Sequence, residues 1–178
     1  MKNLINSGNS IRQKMKNAKK LNLGCGTDIR PGYLNIDFEK IQGIDSVYDL
    51  NKLPYPFKDN QFNEIIMRNI LEHLENPFEI IKEIHRISEK GARIHIRTPH
   101  FSSNNVWGDL QHKRGFNTDT FKNVNMQSRF RILRQEITFS HFRFFMRPLA
   151  KINPVFYEKH LAYIFPAVDL IIELEVIK

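Results

Sequence analysis

Apolar and polar residues begin to alternate at Lys20-Leu21-Asn22-Leu23, a short strand pattern that runs into Gly24-Cys25-Gly26 and so ends in a glycine turn. Tyr33-Leu34-Asn35-Ile36-Asp37 repeats the two-residue period and closes on an acid, and Ser46-Val47-Tyr48 is a third, shorter strand before Asp49. Leu53-Pro54-Tyr55-Pro56-Phe57 is a proline-rich loop, after which residues 62–67 pack isoleucines between polar flanks in the manner of a buried strand. The period then changes. Asn76-Pro77-Phe78-Glu79 supplies an N-cap, a proline at the first helical position and a glutamate for a capping box. Phe78, Ile81, Ile84 and Ile87 follow at helical spacing, and Gly91 is the expected C-terminal cap. Residues 93–97 alternate again and stop at Thr98-Pro99, ahead of a polar loop over residues 100–117. Residues 130–139 and 170–177 read as two final strands, separated by an aromatic, basic insertion at residues 141–166, and a short polar helix is expected over residues 8–18. Strands alternating with helices early, and two late strands without a clear crossover helix, predict a mostly parallel α/β sheet with an antiparallel edge.

Composition narrows the class. With 178 residues, 41% apolar and 26% charged, the chain is expected to be one domain over residues 1–178, with a basic N-terminal segment at residues 1–19. A bilayer span needs roughly 18 consecutive apolar residues, and the longest run here, residues 161–168, is broken by Pro166. The early apolar residues are scattered rather than gathered into a signal sequence, so a cytoplasmic location is expected. One cysteine, Cys25, permits no internal disulfide and no multi-cysteine metal site. The net charge of +8 lies at the two ends: residues 1–20 carry six basic residues and no acid, residues 21–100 ten against twelve, residues 101–178 eleven against seven. Basic ends attract nucleic acid or phosphorylated metabolites, but no aromatic-interleaved RNA-binding signature or helix-turn-helix accompanies them, so nucleic acid is not the favoured partner.

A glycine turn after a first strand, with an acid at the end of the next, holds a nucleotide at the carboxyl ends of parallel strands. The dinucleotide fingerprint places that acid about twenty residues after the turn, whereas Gly24 and Asp37 are thirteen apart and Pro31-Gly32 interrupts the intervening helix. A truncated helix is a poor pyrophosphate site. The spacing favours an adenosine ligand without phosphates, whose ribose hydroxyls still call for a carboxylate.

Leu21-Asn22-Leu23-Gly24-Cys25-Gly26 followed by Pro31-Gly32-Tyr33-Leu34-Asn35-Ile36-Asp37 resembles the class I S-adenosylmethionine-dependent methyltransferases, in the subgroup carrying LNLGCG and PGY-N-D. Asp49-Leu50, Asp59-Asn60-Gln61-Phe62, Leu71-Glu72-His73-Leu74 and Thr98-Pro99-His100-Phe101 match in order, and the C-terminal ELEVIK resembles the subgroup's last strand. Two positions depart from the wider superfamily: Asn22 stands for an acid in the first strand, and Asp28 for the third glycine of the turn. The resemblance implies a Rossmann-like α/β fold with a mostly parallel central sheet, an antiparallel C-terminal strand and helices on both faces. It also implies S-adenosylmethionine as cofactor, held by Leu23, Gly24, Cys25, Gly26, Asp37, Phe38, Asp49, Leu50, Arg68 and Asn69. Gly24 and Gly26 would admit the methionine end and Asp37 the ribose. Cys25, with no base beside it, reads as a small buried residue rather than a nucleophile.

Methyl transfer to a hydroxyl requires alignment and removal of a proton, work suited to a histidine near its reference pKa of about 6.5. Of seven histidines, His85 and His95 lie in a regular helix and strand. His73, His100 and His112, with Asp109 three residues before His112, are the catalytic candidates, His112 as base and Asp109 as its orienter. His100, Asp109 and His112 form no recognised metal motif, and no metal is expected. Arg114, Arg143 and Arg147 are the candidate substrate-binding residues, pointing to an anionic acceptor. Similar sequences keep company with surface-polysaccharide pathways, which suggests a small or glycan-linked acceptor methylated on oxygen. The alternatives are methylation of RNA or protein, and a non-catalytic cofactor-binding subunit.

Overall fold

The structure, a computed structural model, describes residue 11 and residues 13–178. The helix expected over residues 8–18 falls partly outside these residues; residues 13–17 are helical.

Seven strands form a single sheet: β1 (Lys20–Leu23), β2 (Leu34–Asp37), β3 (Ser46–Val47), β4 (Phe62–Arg68), β5 (Ser88–Pro99), β6 (Phe130–Ile137) and β7 (Asp169–Val176). Their spatial order is β3-β2-β1-β4-β5-β7-β6. The five strands β1 to β5 pair in parallel, and β7 inserts antiparallel to both β5 and β6. The mostly parallel sheet with an antiparallel C-terminal strand is the one expected. The order runs outward from β1 in both directions, so the carboxyl ends of β1 and β4 flank the crevice where such folds hold ligands.

Leu21, Leu23, Leu34, Ile36, Ile65, Met67, Ile94, Ile96, Leu170, Ile172 and Leu174 belong to one buried cluster. Helix α1 (Pro77–Ile87) adds Ile80, Ile81, Ile84 and Ile87 to it. Its N-cap is as expected, the Asn76 side chain accepting the Glu79 N–H. Two details differ. Phe78 turns outward, its ring beneath the Lys82 ammonium, because the buried stripe is formed by adjacent Ile80 and Ile81. Gly91 is not the cap: the helix stops at Ile87, Ser88 Oγ donates to the Ile84 carbonyl, and Gly91 (φ +78°) lies inside β5 where the pairing with β4 slips.

No helix joins β1 to β2. Instead the buried Asn22 and Asn35 side chains pair with each other and with the backbone of Asp28 and Arg30, fixing the turn in place. On the same side of the sheet as these amides, ion pairs cross between strands: Lys20–Glu64, Arg93–Glu173, Arg131–Glu175 and Arg97–Asp169. The polar loop at residues 100–117 contains a one-turn helix, α2 (Asn104–Gly108). Further on lies α3 (Val124–Gln127), and the 141–166 insertion folds as a 3-10 turn followed by α4 (Arg147–Ile152) and α5 (Pro154–His160). No described helix is long and apolar enough to cross a membrane.

Candidate active site

The glycine turn leaves β1 in a left-handed conformation, φ +63° at Gly24 and +48° at Gly26. At Gly24 a Cβ would fall 2.4 Å from the Ile70 Cγ1, so only glycine fits between β1 and the segment after β4. The Gly26 N–H donates to Asp37 Oδ2 at 2.7 Å and the Glu39 N–H to Oδ1 at 3.1 Å, which brings the acid at the end of β2 to the turn. Leu23 and Cys25 are buried beneath it. Burial, with the Asp37 charge second, pushes the Cys25 thiol up to about 11, so it is a neutral packing group at physiological pH.

Phe38 is exposed beside Asp37. Asp49, just past β3, accepts the Asn51 N–H, and Leu50 is buried with its carbonyl accepting the Tyr55 hydroxyl. At the end of β4, Arg68 pairs with Asp28 at 3.2 Å, and Asn69, at φ +52°, donates its backbone N–H to the Arg97 carbonyl. Asp28, in the place of a third glycine, thus anchors Arg30 and Arg68 over the turn.

A second group of side chains lies at the same end of the sheet. Glu72 and His73 follow β4, and Asp109 and His112 lie in the loop after β5. The His73 and His112 ring centroids are 4.5 Å apart. His112 Nε2 is 3.9 Å from Glu72 Oε1 and 3.7 Å from Asp109 Oδ2. The two loops are stitched together: the Lys113 N–H donates to the Glu72 carbonyl, and the Arg114 guanidinium to the carbonyls of Leu74 and Glu75. Glu72 is wholly buried, one oxygen accepting from Thr98 Oγ1, and burial raises its pKa against the opposing hydrogen bonds. Desolvation, then the neighbouring His112, lowers that of His73.

The structure therefore gathers His73, Asp109 and His112, but sets His100 apart. His100 is fully buried, with Nδ1 at 2.9 Å from Ser102 Oγ and Nε2 at 3.3 Å from Glu158 Oε1. The three arginines do not converge either. Arg114 clamps loop carbonyls, Arg143 is half-buried in the insertion, and Arg147 pairs with Glu136. Arg147 lines a cavity of about 760 Å³ at the carboxyl end of β6, together with Arg134, Lys151 and Phe144. Glu72 is the residue that sequence reasoning passed over; its signal is an acid between Leu71 and Leu74, beside a histidine.

Residues 16–96 match the family described as methyltransferase domain. A search of curated proteins gives no match. Among solved structures, an S-adenosylmethionine-dependent methyltransferase from Archaeoglobus fulgidus superposes with a TM-score of 0.66 at 16% identity, over 96% of this chain and 93% of that one. A methyltransferase described as putative from Bacillus halodurans gives 0.63 at 14% identity, over 96% and 98%. The [4+2]-cyclase SpnF gives 0.61 at 17% identity, over 94% and 78%. Since a cyclase shares the fold, the fold alone does not define the chemistry. The family match speaks to the chemistry: residues 16–96, a little under half of the chain, match a methyltransferase domain, the kind of domain that takes S-adenosylmethionine as its cofactor.

Proposed function

We propose that this chain is an S-adenosylmethionine-dependent methyltransferase that acts on a hydroxyl oxygen of a small or glycan-linked acceptor carrying negative charge. The observation that carries the reading is the histidine–carboxylate cluster of Glu72, His73, Asp109 and His112, set at the same end of the sheet as the glycine turn and Asp37. Gly24 and Gly26 would admit the methionine end of the cofactor, Asp37 would take the ribose hydroxyls, and Asp49 and Leu50 would hold the adenine. Bound there, S-adenosylmethionine would supply the methyl group, the acceptor oxygen bonding to the methyl carbon as the carbon–sulfur bond breaks and S-adenosylhomocysteine is left. The hydroxyl proton leaves toward the cluster, where His112 and Asp109 receive it. Alignment supplies most of the acceleration, and proton removal typically about 10²–10⁴-fold.

Acceptor charge is supported by the cavity beside β6, where Arg134, Arg147 and Lys151 face the single acid Glu136. The test is transfer of labelled methyl from S-adenosylmethionine to paired anionic and neutral hydroxylated small molecules, with RNA and protein alongside. Label in the anionic member is expected. Label confined to RNA or protein, or cofactor binding without turnover on any acceptor, overturns this reading.

A further inference from the structure

Glu72, His73 and His112 each offer one ligand atom, and these three atoms lie within 4.8 Å of one another. Two polar atoms of this group are buried without a hydrogen-bond partner among the described residues: Glu72 Oε1 and His112 Nδ1. The Glu72 side chain is 0% exposed and that of His112 9%. Burying one polar atom unpaired costs about 1–3 kcal/mol, so the wholly buried Glu72 Oε1, which faces His112 Nε2 at 3.9 Å, calls for a ligand that satisfies it. A bound proton does not suffice, because Glu72 Oε1 and His112 Nε2 are 3.9 Å apart, beyond hydrogen-bond reach.

That spacing suits a cation. An ion about 2.1 Å from each ligand keeps its ligands within about 4.2 Å of one another. The distance from His112 Nε2 to Glu72 Oε1, 3.9 Å, meets this limit, and the three ligand atoms together lie within 4.8 Å, so an ion would draw them in by a few tenths of an ångström at most. The stitching of Lys113 and Arg114 to the 72–75 backbone keeps the two ligand-bearing loops in register.

We propose that Glu72, His73 and His112 bind one divalent transition-metal ion, with Asp109 beside its open side. Two imidazoles with one carboxylate select zinc, manganese, iron or cobalt over magnesium or calcium, which prefer all-oxygen sites. Three protein ligands leave a coordination position for an acceptor hydroxyl, whose acidity the ion would raise; with the ion bound, His112 serves as ligand rather than base and Asp109 alone takes the proton. That role rests on the methyl-transfer reading above; the metal site itself does not.

The test uses tag-free, chelator-treated protein titrated with cobalt(II), read by its visible absorption bands, with zinc(II) competition. One cobalt per chain, displaced by zinc, is expected. Glu72→Gln, His73→Ala and His112→Ala should each weaken binding at least tenfold, since even outer contacts to a bound metal are worth roughly 10–100-fold, while the exposed His141→Ala should not. The half-buried His73 and the native titration keep the test decisive where Glu72→Gln fails to fold. Native protein that binds no stoichiometric cobalt at millimolar concentration, or His73→Ala and His112→Ala that bind as native, overturns the site. S-adenosylmethionine binding measured by calorimetry in chelator reads the cofactor half separately. Turnover that is lost in chelator and restored by metal supports the role at the acceptor, and turnover indifferent to chelator overturns that role alone.

Discussion

Asp37 has two hydrogen-bond positions filled by the backbone, from Gly26 and Glu39, and remains partly open to solvent at the turn. This poises a carboxylate whose orientation is fixed before any ligand arrives, a condition that lowers the ordering cost of binding. Replacing Asp37 with Ala is expected to weaken S-adenosylmethionine binding by about 1.5–3 kcal/mol, the usual worth of hydrogen bonds to a charged group. Calorimetry checks it, and unchanged affinity would remove Asp37 from the ribose site. At this scale much was legible, because glycines at left-handed positions and an acid at a strand end are local signals. Asn22 and Asn35 were not legible as partners. Thirteen residues separate them, and only the parallel pairing of β1 with β2 aligns them to replace a helix with a buried amide pair. Glu72 was missed for a related reason: its chemistry depends on His112, forty residues later in another loop.

Between elements, ionic contacts fasten what short helices cannot hold by themselves. Arg86 of α1 reaches Glu83, Asp59 and the carbonyls of Tyr55 and Phe57, tying the proline-rich loop to the helix. Glu158 of α5 accepts from the Thr118 N–H and Oγ1 at 2.8 Å and faces His100, securing the insertion to the loop after β5. Burial works to raise the Glu158 pKa, but the contacts from His100 and Thr118 outweigh it and hold it low. A depressed carboxylate adds stability that is complete above its unfolded-state range near 4.5 and is lost as pH falls through the lower folded value. Glu158→Gln is therefore expected to destabilise the protein by about 1–3 kcal/mol at pH 7. The difference from wild type should shrink on acidification below pH 4.5, as followed by urea midpoints. A gap independent of pH would mean that ionisation of Glu158 contributes nothing. The α1 start was legible from its cap, and β1, β4 and β5 from their period. Its end was misplaced because Ser88 back-bonds to Ile84 and lets β5 begin before Gly91. The insertion stayed unread because its helices are one or two turns long, fastened by tertiary contacts such as Tyr157 Oη to the Phe165 carbonyl.

Across the molecule, the two ends of the chain carry the positive charge, yet sequence alone does not say where those charges meet. The fold settles part of this. Many cations on the sheet are already neutralised by cross-strand partners, Arg93 by Glu173 and Arg131 by Glu175. Beside β6 the pairing is incomplete: Arg134 and Arg147 share Glu136, and Lys151 joins them on the cavity wall. Three cations against one acid leave a local excess that an anionic acceptor can meet. Because β6 and α4 approach only in the folded chain, Arg147 was legible as a candidate from its basic, aromatic surroundings, while Arg134 was not. Arg147→Ala is expected to raise KM for a charged acceptor by roughly tenfold, about 1.4 kcal/mol, with kcat little changed, the signature of lost uniform binding. Added salt should raise the same KM in the native enzyme, since exposed charges are screened within about 8 Å at physiological ionic strength. The effect of salt should be smaller in the variant, where one of the screened cations is gone. Steady-state kinetics at several salt concentrations, with anionic and neutral acceptors of one skeleton, separate the possibilities. If KM for both acceptors responds equally to Arg147→Ala, the residue serves packing rather than charge, and the anionic part of the acceptor is held elsewhere.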